Sequence, residues 1–316
     1  MSSSPVAPSD VEDSWPLTPL QSGMLVQSFR DERTDIDVAQ HLFRLDGPLD
    51  PAALLAAWRR LTARHAVLRS AIRWRGLDAP RQVVFRSVRP AMDMLNWTDT
   101  APEDQAVARE LLLAEDRGRS IDVEQAPLSR LTLVRTGEHE HLLLWTTHHV
   151  LMDGWSRAML LDELAVAYRE PDHHAPAPPR FGDFVEWANE HNDQSTTGFW
   201  RAQLRGFGTA PALPELDPGA PGVGVHTLAL GEPRVAALRD ACRRNRVTQA
   251  TILHAAWALV LWRLTRATDL VFGSTLSVRP TDLPGAEHMI GLLINTIPVR
   301  VHVHPEVAVA TFLREL

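Results

Sequence analysis

The sequence predicts a mixed α/β chain arranged in two lobes, and three observations carry that expectation. Apolar residues at helical spacing alternate with short strand-like runs along the whole length, so helices and strands intermix. At 316 residues and 45% hydrophobic, the chain can bury a large core as one domain or two smaller lobes. Four prolines crowd the nine residues from Pro171 to Pro179, where neither a helix nor a central strand can continue. The expected organisation is a disordered lead-in over 1–13, a first lobe over 14–170, a linker over 171–180 and a second lobe over 181–316.

In order, Thr18-Pro19-Leu20-Gln21 reads as a helix start, with Thr18 as cap and Gln21 three positions on. A second helix opens at Asp50-Pro51 and places Leu54, Leu55, Trp58 and Leu61 on one face. Strand-like runs follow at 71–74 and 82–85, then a helix over 102–116. Residues 130–135 and 141–147 read as two strands around the turn Thr136-Gly137-Glu138. After Gly154 the pattern is helical through Tyr168. Beyond the prolines it gives a helical stretch over 181–204, a Pro/Gly loop over 215–224, and helices over 233–245 and 249–265. Strands over 269–276 and 296–303 and a helix over 307–316 complete the reading.

Composition narrows the function classes. A net charge of -7 gives no clustered basic surface for a phosphate backbone, so no nucleic-acid partner is expected. The single cysteine, Cys242, allows neither an internal disulfide nor a thiolate zinc site, and its helical setting points to packing. The first sixteen residues lack a basic region followed by an apolar one, so no secretory leader is read. The apolar run over 250–264 carries His254 and Arg263 and is too short to cross a bilayer. The cytoplasm is the expected location, with no membrane partner.

The run Thr147-His148-His149-Val150-Leu151-Met152-Asp153-Gly154-Trp155-Ser156 concentrates chemistry between a strand end and a helix start, where a rigid scaffold commonly holds functional side chains. Histidine, with an ordinary pKa of about 6.5, is the natural proton acceptor near neutral pH. Adjacent residues on a strand point to opposite faces, so one histidine can meet a cavity while the other supports it. Gly154 permits a tight turn, and a backbone N–H near it could face a developing oxyanion. A metal site would need a third ligand at suitable spacing, which Asp153 alone does not supply. The pair His173-His174 lies among the prolines with no Asp-Gly after it and reads as solvated loop.

This run resembles the core motif of condensation domains in nonribosomal peptide synthetases, and five other segments resemble that family's motifs in order. Leu17 to Leu25 (LTPLQSGML) is similar to the opening motif, and Arg64 to Arg69 (RHAVLR) to the second. In the second, Ala66 stands where an acidic residue is usual. Phe181 to Trp187, with Phe199-Trp200, follows; then Val271-Phe272-Gly273 through Ser277-Val278-Arg279-Pro280; then Ile290 to Thr296.

The resemblance implies two lobes like chloramphenicol acetyltransferase in a V-shaped pseudo-dimer. His149 would be the catalytic residue, in a tunnel between them. Two carrier proteins would bring substrates on 4'-phosphopantetheine arms, and the acceptor amine would attack the donor thioester. His149 would either take the amine proton or position the amine. His148, Asp153 and Gly154 would support it, Arg279 would pair with Asp153, and Trp155, Ser156 and Asn295 would line the tunnel. The implied partners are donor and acceptor carrier proteins and an adjacent adenylation domain. No cofactor and no metal would be bound by the domain itself.

Relatives in the superfamily imply other readings. Epimerization domains continue differently after the Asp-Gly, whereas Trp155-Ser156 fits condensation. Modules that recruit an oxygenase carry a degraded core motif, whereas this one is intact. A stand-alone acyltransferase with one carrier-bound donor would use the same histidine. The opening motif resembles that of domains that accept a D-configured donor. Family members continue past the fifth motif, so the second lobe is expected to be incomplete here and the chain alone inactive or weakly stable. A start at Met1 implies a donor delivered by a separate upstream polypeptide.

Overall fold

The structure, a computed structural model, describes residues 10–30, 37–191, 194–208, 210–214 and 226–316. The contacts group the chain into two units, Met1–Asn192 with Leu276–Asn295, and Asp193–Thr275 with Thr296–Leu316. Residues 181–191 and 276–295 therefore belong with the residues that precede the prolines.

In the first unit, β1 (Val11–Pro16), β3 (Ser70–Arg73) and β4 (Arg81–Phe85) form a sheet in the order β1-β4-β3. A second sheet, in the order β2-β7-β6-β5, contains β2 (Val38–Asp46), β5 (Met92–Asn96), β6 (Ser129–Arg135) and β7 (Glu140–His148). β7 runs antiparallel to both β2 and β6, with Val38 opposite His148 and Ser129 opposite Thr147. The pair Trp145–Thr146 shows the alternation of a strand covered on both faces. The Trp145 indole lies edge-on to Trp58 of α2 (Pro51–Arg64), with ring centroids 5.3 Å apart. The Thr146 hydroxyl donates to Asp116 of α3 (Pro102–Gly118) at 2.6 Å.

The expected helix starts are present with their caps. Thr18 and Gln21 form a reciprocal capping box ahead of α1 (Pro19–Arg30): the Gln21 N–H donates to Thr18 Oγ1 at 3.2 Å, and the Thr18 N–H to Gln21 Oε1 at 3.0 Å. Asp50 accepts from the Ala52 N–H at 2.8 Å and caps α2. α4 (Gly154–Arg169) packs along α2, where buried His65 meets Glu163 at 2.8 Å.

Two further expectations change, and a third falls outside the described residues. The lead-in is shorter than 1–13, because residues 11–13 already belong to β1; residues 1–9 lie outside the described ones. β1 is held by tertiary pairing with β4, by the Trp15 indole N–H donating to Gln82 Oε1 at 3.1 Å, and by Trp15 packing on Phe181. The acidic, proline-ended VEDSWP has no alternation that would announce a strand. The helical stretch at 181–204 is two helices, α5 (Phe181–Glu190) and α6 (Gln194–Gln203), because the chain leaves the first at His191, whose N–H returns to the Trp187 carbonyl. The loop expected over 215–224 lies outside the described residues.

The second unit holds α6, α7 (Glu232–Asn245), α8 (Gln249–Thr265), most of β8 (Asp269–Ser277) and β9 (Ile294–His302), and α9 (Val309–Glu315). β8 and β9 pair, and Ala255, Ala258, Leu270, Val301 and Phe312 build its core. Cys242 is buried, in keeping with a packing role. Among the described residues, no helix is long and apolar enough to cross a membrane.

One buried pair fastens α3 to the central sheet. Asp116 accepts from Arg130 Nε at 2.5 Å, Thr146 Oγ1 at 2.6 Å and Gln40 Nε2 at 2.7 Å. Burial pushes its pKa up, but these donors outweigh it and hold the carboxyl below its ordinary value. Asp116→Ala strands the Arg130 guanidinium and is expected to cost about 3–5 kcal/mol in urea unfolding.

Candidate active site

β7 delivers His148 and His149 to the loop before α4. The His148 N–H donates to the Leu128 carbonyl at 3.0 Å and the His149 N–H to the Asp37 carbonyl at 2.7 Å, so the strand ends between two fixed neighbours. His148 is buried, and its Nδ1 accepts the Val150 N–H at 3.2 Å, which puts the proton of its neutral ring on Nε2. Burial, the largest influence, lowers its pKa to about 4 despite the pull of Asp37. His149 is solvent-exposed. Desolvation by the surrounding protein lowers its pKa from 6.5, Asp37 opposes this and Arg157 reinforces it. The unprotonated ring is therefore the form favoured at neutral pH.

The loop is fixed from below by Asp153. Its Oδ1 accepts the Ser156 N–H at 2.7 Å, capping α4, and its Oδ2 accepts the Leu293 N–H at 3.0 Å. Arg279 Nη2 lies 3.3 Å from both carboxylate oxygens and donates to Ser156 Oγ at 2.9 Å. Its Nη1 donates to the Ala286 and Met289 carbonyls, both at 2.8 Å. Ser156 Oγ donates to the Gly291 carbonyl at 2.8 Å and accepts the Gly291 N–H at 3.1 Å. The Asp153 N–H also reaches the Gly291 carbonyl, at 3.1 Å. A Cβ at Gly291 would fall 2.1 Å from Phe181 Cδ2, so only glycine fits beneath that ring.

The structure brings Asp153, Arg279 and Ser156 into one buried cluster, with His148 and His149 five and four residues before Asp153 on the loop that this cluster anchors. Ser156, expected on a tunnel wall, is instead fully buried, because its hydroxyl is consumed by Gly291 and Arg279. Gly154 corrects another expectation. It is the first residue of α4 without a left-handed backbone, and a Cβ there would meet only Arg157 Nη2 at 3.7 Å, so no tight turn requires it. Trp155 is exposed, with the Arg279 guanidinium 5.8 Å from its ring centroid. Asn295 is exposed at the start of β9. Among the described residues, no three His, Cys, Asp or Glu side chains are grouped to hold a metal ion.

Gln21 does more than cap α1. Its Nε2 donates to the Val150 carbonyl at 3.0 Å and to Gln82 Oε1 at 2.8 Å, tying the opening motif to the histidine loop. His41 and Arg157 are electrostatically coupled to His149, and none of these three roles is announced by a local pattern.

Residues 11–316 match the family model described as Condensation domain. The chain belongs to the condensation-domain family. Linear gramicidin synthase subunits B and C of Brevibacillus parabrevis are 34% identical over 315 residues and 36% over 322, covering 97% and 96% of this chain. The chain spans only 6% and 4% of those two relatives. The first condensation domain of the calcium-dependent antibiotic synthetase, solved with a substrate analogue, matches at TM-score 0.78 and 21% identity over 96% of this chain and 73% of that one. The X-domain solved with OxyB from teicoplanin biosynthesis matches at TM-score 0.77 and 27% identity over 99% of this chain and 70% of its own. The mixed α/β fold is thus that of condensation domains.

Asp153 carries three protein donors with no solvent to replace them, so Asp153→Ala is expected to cost about 3–5 kcal/mol in urea unfolding. His148 adds a pH dependence. Its folded pKa lies below the unfolded 6.5, so the unfolded chain binds the proton more readily. Stability is full above 6.5 and falls by up to about 3 kcal/mol as pH drops towards the folded value. His148→Asn, whose side-chain oxygen can still accept from Val150, is expected to flatten that slope in urea titrations between pH 7 and 4.

Proposed function

We propose that this domain forms an amide between a donor acyl or peptidyl thioester and the amine of an acceptor aminoacyl thioester, as part of nonribosomal peptide synthesis. The observation that carries this reading is an exposed His149, favoured unprotonated, on a loop anchored by the buried Asp153–Arg279 cluster. Membership of the condensation family supports it.

The acceptor nitrogen attacks the thioester carbonyl, the carbon–sulfur bond breaks, and the donor arm leaves as a thiol. His149 takes the proton the amine loses and returns one to the departing sulfur. Both substrates arrive on the 4'-phosphopantetheine of partner carrier proteins, an upstream donor and a downstream acceptor, with an adenylation domain adjacent. Holding the two arms in line supplies much of the rate. No resident cofactor or metal takes part.

A second reading rests on the likeness to the X-domain, whose solved complex contains OxyB. In that reading the domain recruits a tailoring enzyme and His149 has no chemical role. The two separate in an assay with donor-loaded and acceptor-loaded carriers. His149→Ala is expected to cut amide formation about 10²–10⁴-fold. Unchanged product from the variant would sink catalysis and favour recruitment. The acid limb of the wild-type rate profile is expected below 6.5, since the lowered His149 pKa keeps the acceptor form available there.

A further inference from the structure

We infer that His41 is a positioning residue: its ring nitrogen holds the Arg157 guanidinium at the edge of the site, so that a fixed positive charge stands beside His149. This deepens the proposed role of His149 as proton acceptor and rests on it.

The geometry begins with the central sheet. His41 lies on β2 directly opposite Trp145 on β7, and its ring packs edge-on to that indole with centroids 6.3 Å apart. Phe43, two residues along the same strand, flanks it at 6.5 Å. The imidazole is therefore held between aromatic neighbours, and Nε2 meets Arg157 Nη1 of α4 at 3.0 Å. A guanidinium has only hydrogens to offer, so His41 Nε2 must be the acceptor and the ring neutral, with its proton on Nδ1. Burial first, then Arg157, then His149 lower the His41 pKa to about 4, which keeps that acceptor available throughout the neutral range.

Arg157 folds back over the first turn of α4, where Gly154 presents no side chain. The groups acting on His149 then come from every adjoining element: Asp37 ahead of β2, His41 on β2, His148 at the end of β7 and Arg157 on α4. Asp37 favours a protonated His149 and Arg157 disfavours it. With the arginine tethered, the balance favours the free ring. Untethered, the guanidinium would move into water, where the high dielectric and salt, with a screening length of roughly 8 Å at physiological ionic strength, weaken its influence.

The test is an NMR titration of the His149 ring, assigned by loss of its signal in His149→Asn, using the whole chain without substrates. His41→Ala and Arg157→Gln are each expected to raise the His149 pKa by about half a unit or more. His41→Gln, whose amide oxygen can accept from Arg157, is expected to keep the wild-type value. Adding His41→Ala to Arg157→Gln should produce no further shift. His41→Leu, which fills the space against Trp145 without an acceptor, replaces His41→Ala if the smaller side chain unfolds the protein. A wild-type pKa in the variant without an acceptor, or a full additional shift in the Arg157→Gln background, would overturn the assignment. Because no turnover is needed, a failure of amide synthesis leaves this measurement standing, and the reverse also holds.

Discussion

Everything near His149 depends on one buried carboxylate. Asp153 closes the histidine loop, caps α4 and receives the fifth-motif backbone at Leu293, while Arg279 neutralises it and spans the 286–289 carbonyls. A charge so placed is costly to desolvate, and it is tolerated only because each oxygen has protein donors in good geometry. The consequence is rigidity at the point where His149 meets solvent. The backbone of His149 is fixed at Asp37 on one side and through Val150 to Gln21 on the other.

Two other polar anchors repeat the same device at a distance. Asp116 binds α3 to the sheet that presents the histidines, and Glu163 joins α4 to His65 and Arg64 of the second motif. Arg69 of that motif reaches Glu12 on β1 at 2.7 Å, so the second motif braces both the sheet edge and the helix behind the site. The alanine at position 66 sits against the apolar cluster around Trp15 and Phe181 instead of joining an ion pair. The motifs thus act here mostly as fasteners between elements, while the core motif also carries the exposed His149.

The sequence made part of this legible. Helices with caps were readable because Thr18 and Asp50 act on residues two to three positions away. β6 and β7 were readable from apolar runs around a turn, and the histidine loop from its position between strand and helix. β1 and β2 were not readable. Val11–Pro16 and Val38–Asp46 are strands because β4 and β7 pair with them, and neither carries a clean alternation. Missing β2 also hid His41, whose place beside Arg157 follows from register alone. Ser156 was visible as a motif residue, but a hydroxyl facing inward cannot be told from one facing a channel without the Gly291 backbone in place. Glycine signals freedom of backbone, but at Gly154 the backbone is helical and a Cβ would make only ordinary contact with Arg157, so the residue type does not report the geometry.

The anchor on Asp153 joins residues separated by 140 positions in the chain. During synthesis the histidine loop is made long before Leu293 and Gly291 exist to receive it. At ribosomal speeds of roughly 5–20 residues per second, the wait is on the order of ten seconds or more. Through that interval the nascent sheet ends in an unfastened loop, with Asp153 solvated and α4 capped only locally. The histidine loop is therefore locked well after its own residues are made. A ribosome that stalls before the fifth motif would release a first lobe with its secondary structure formed and its histidines adrift.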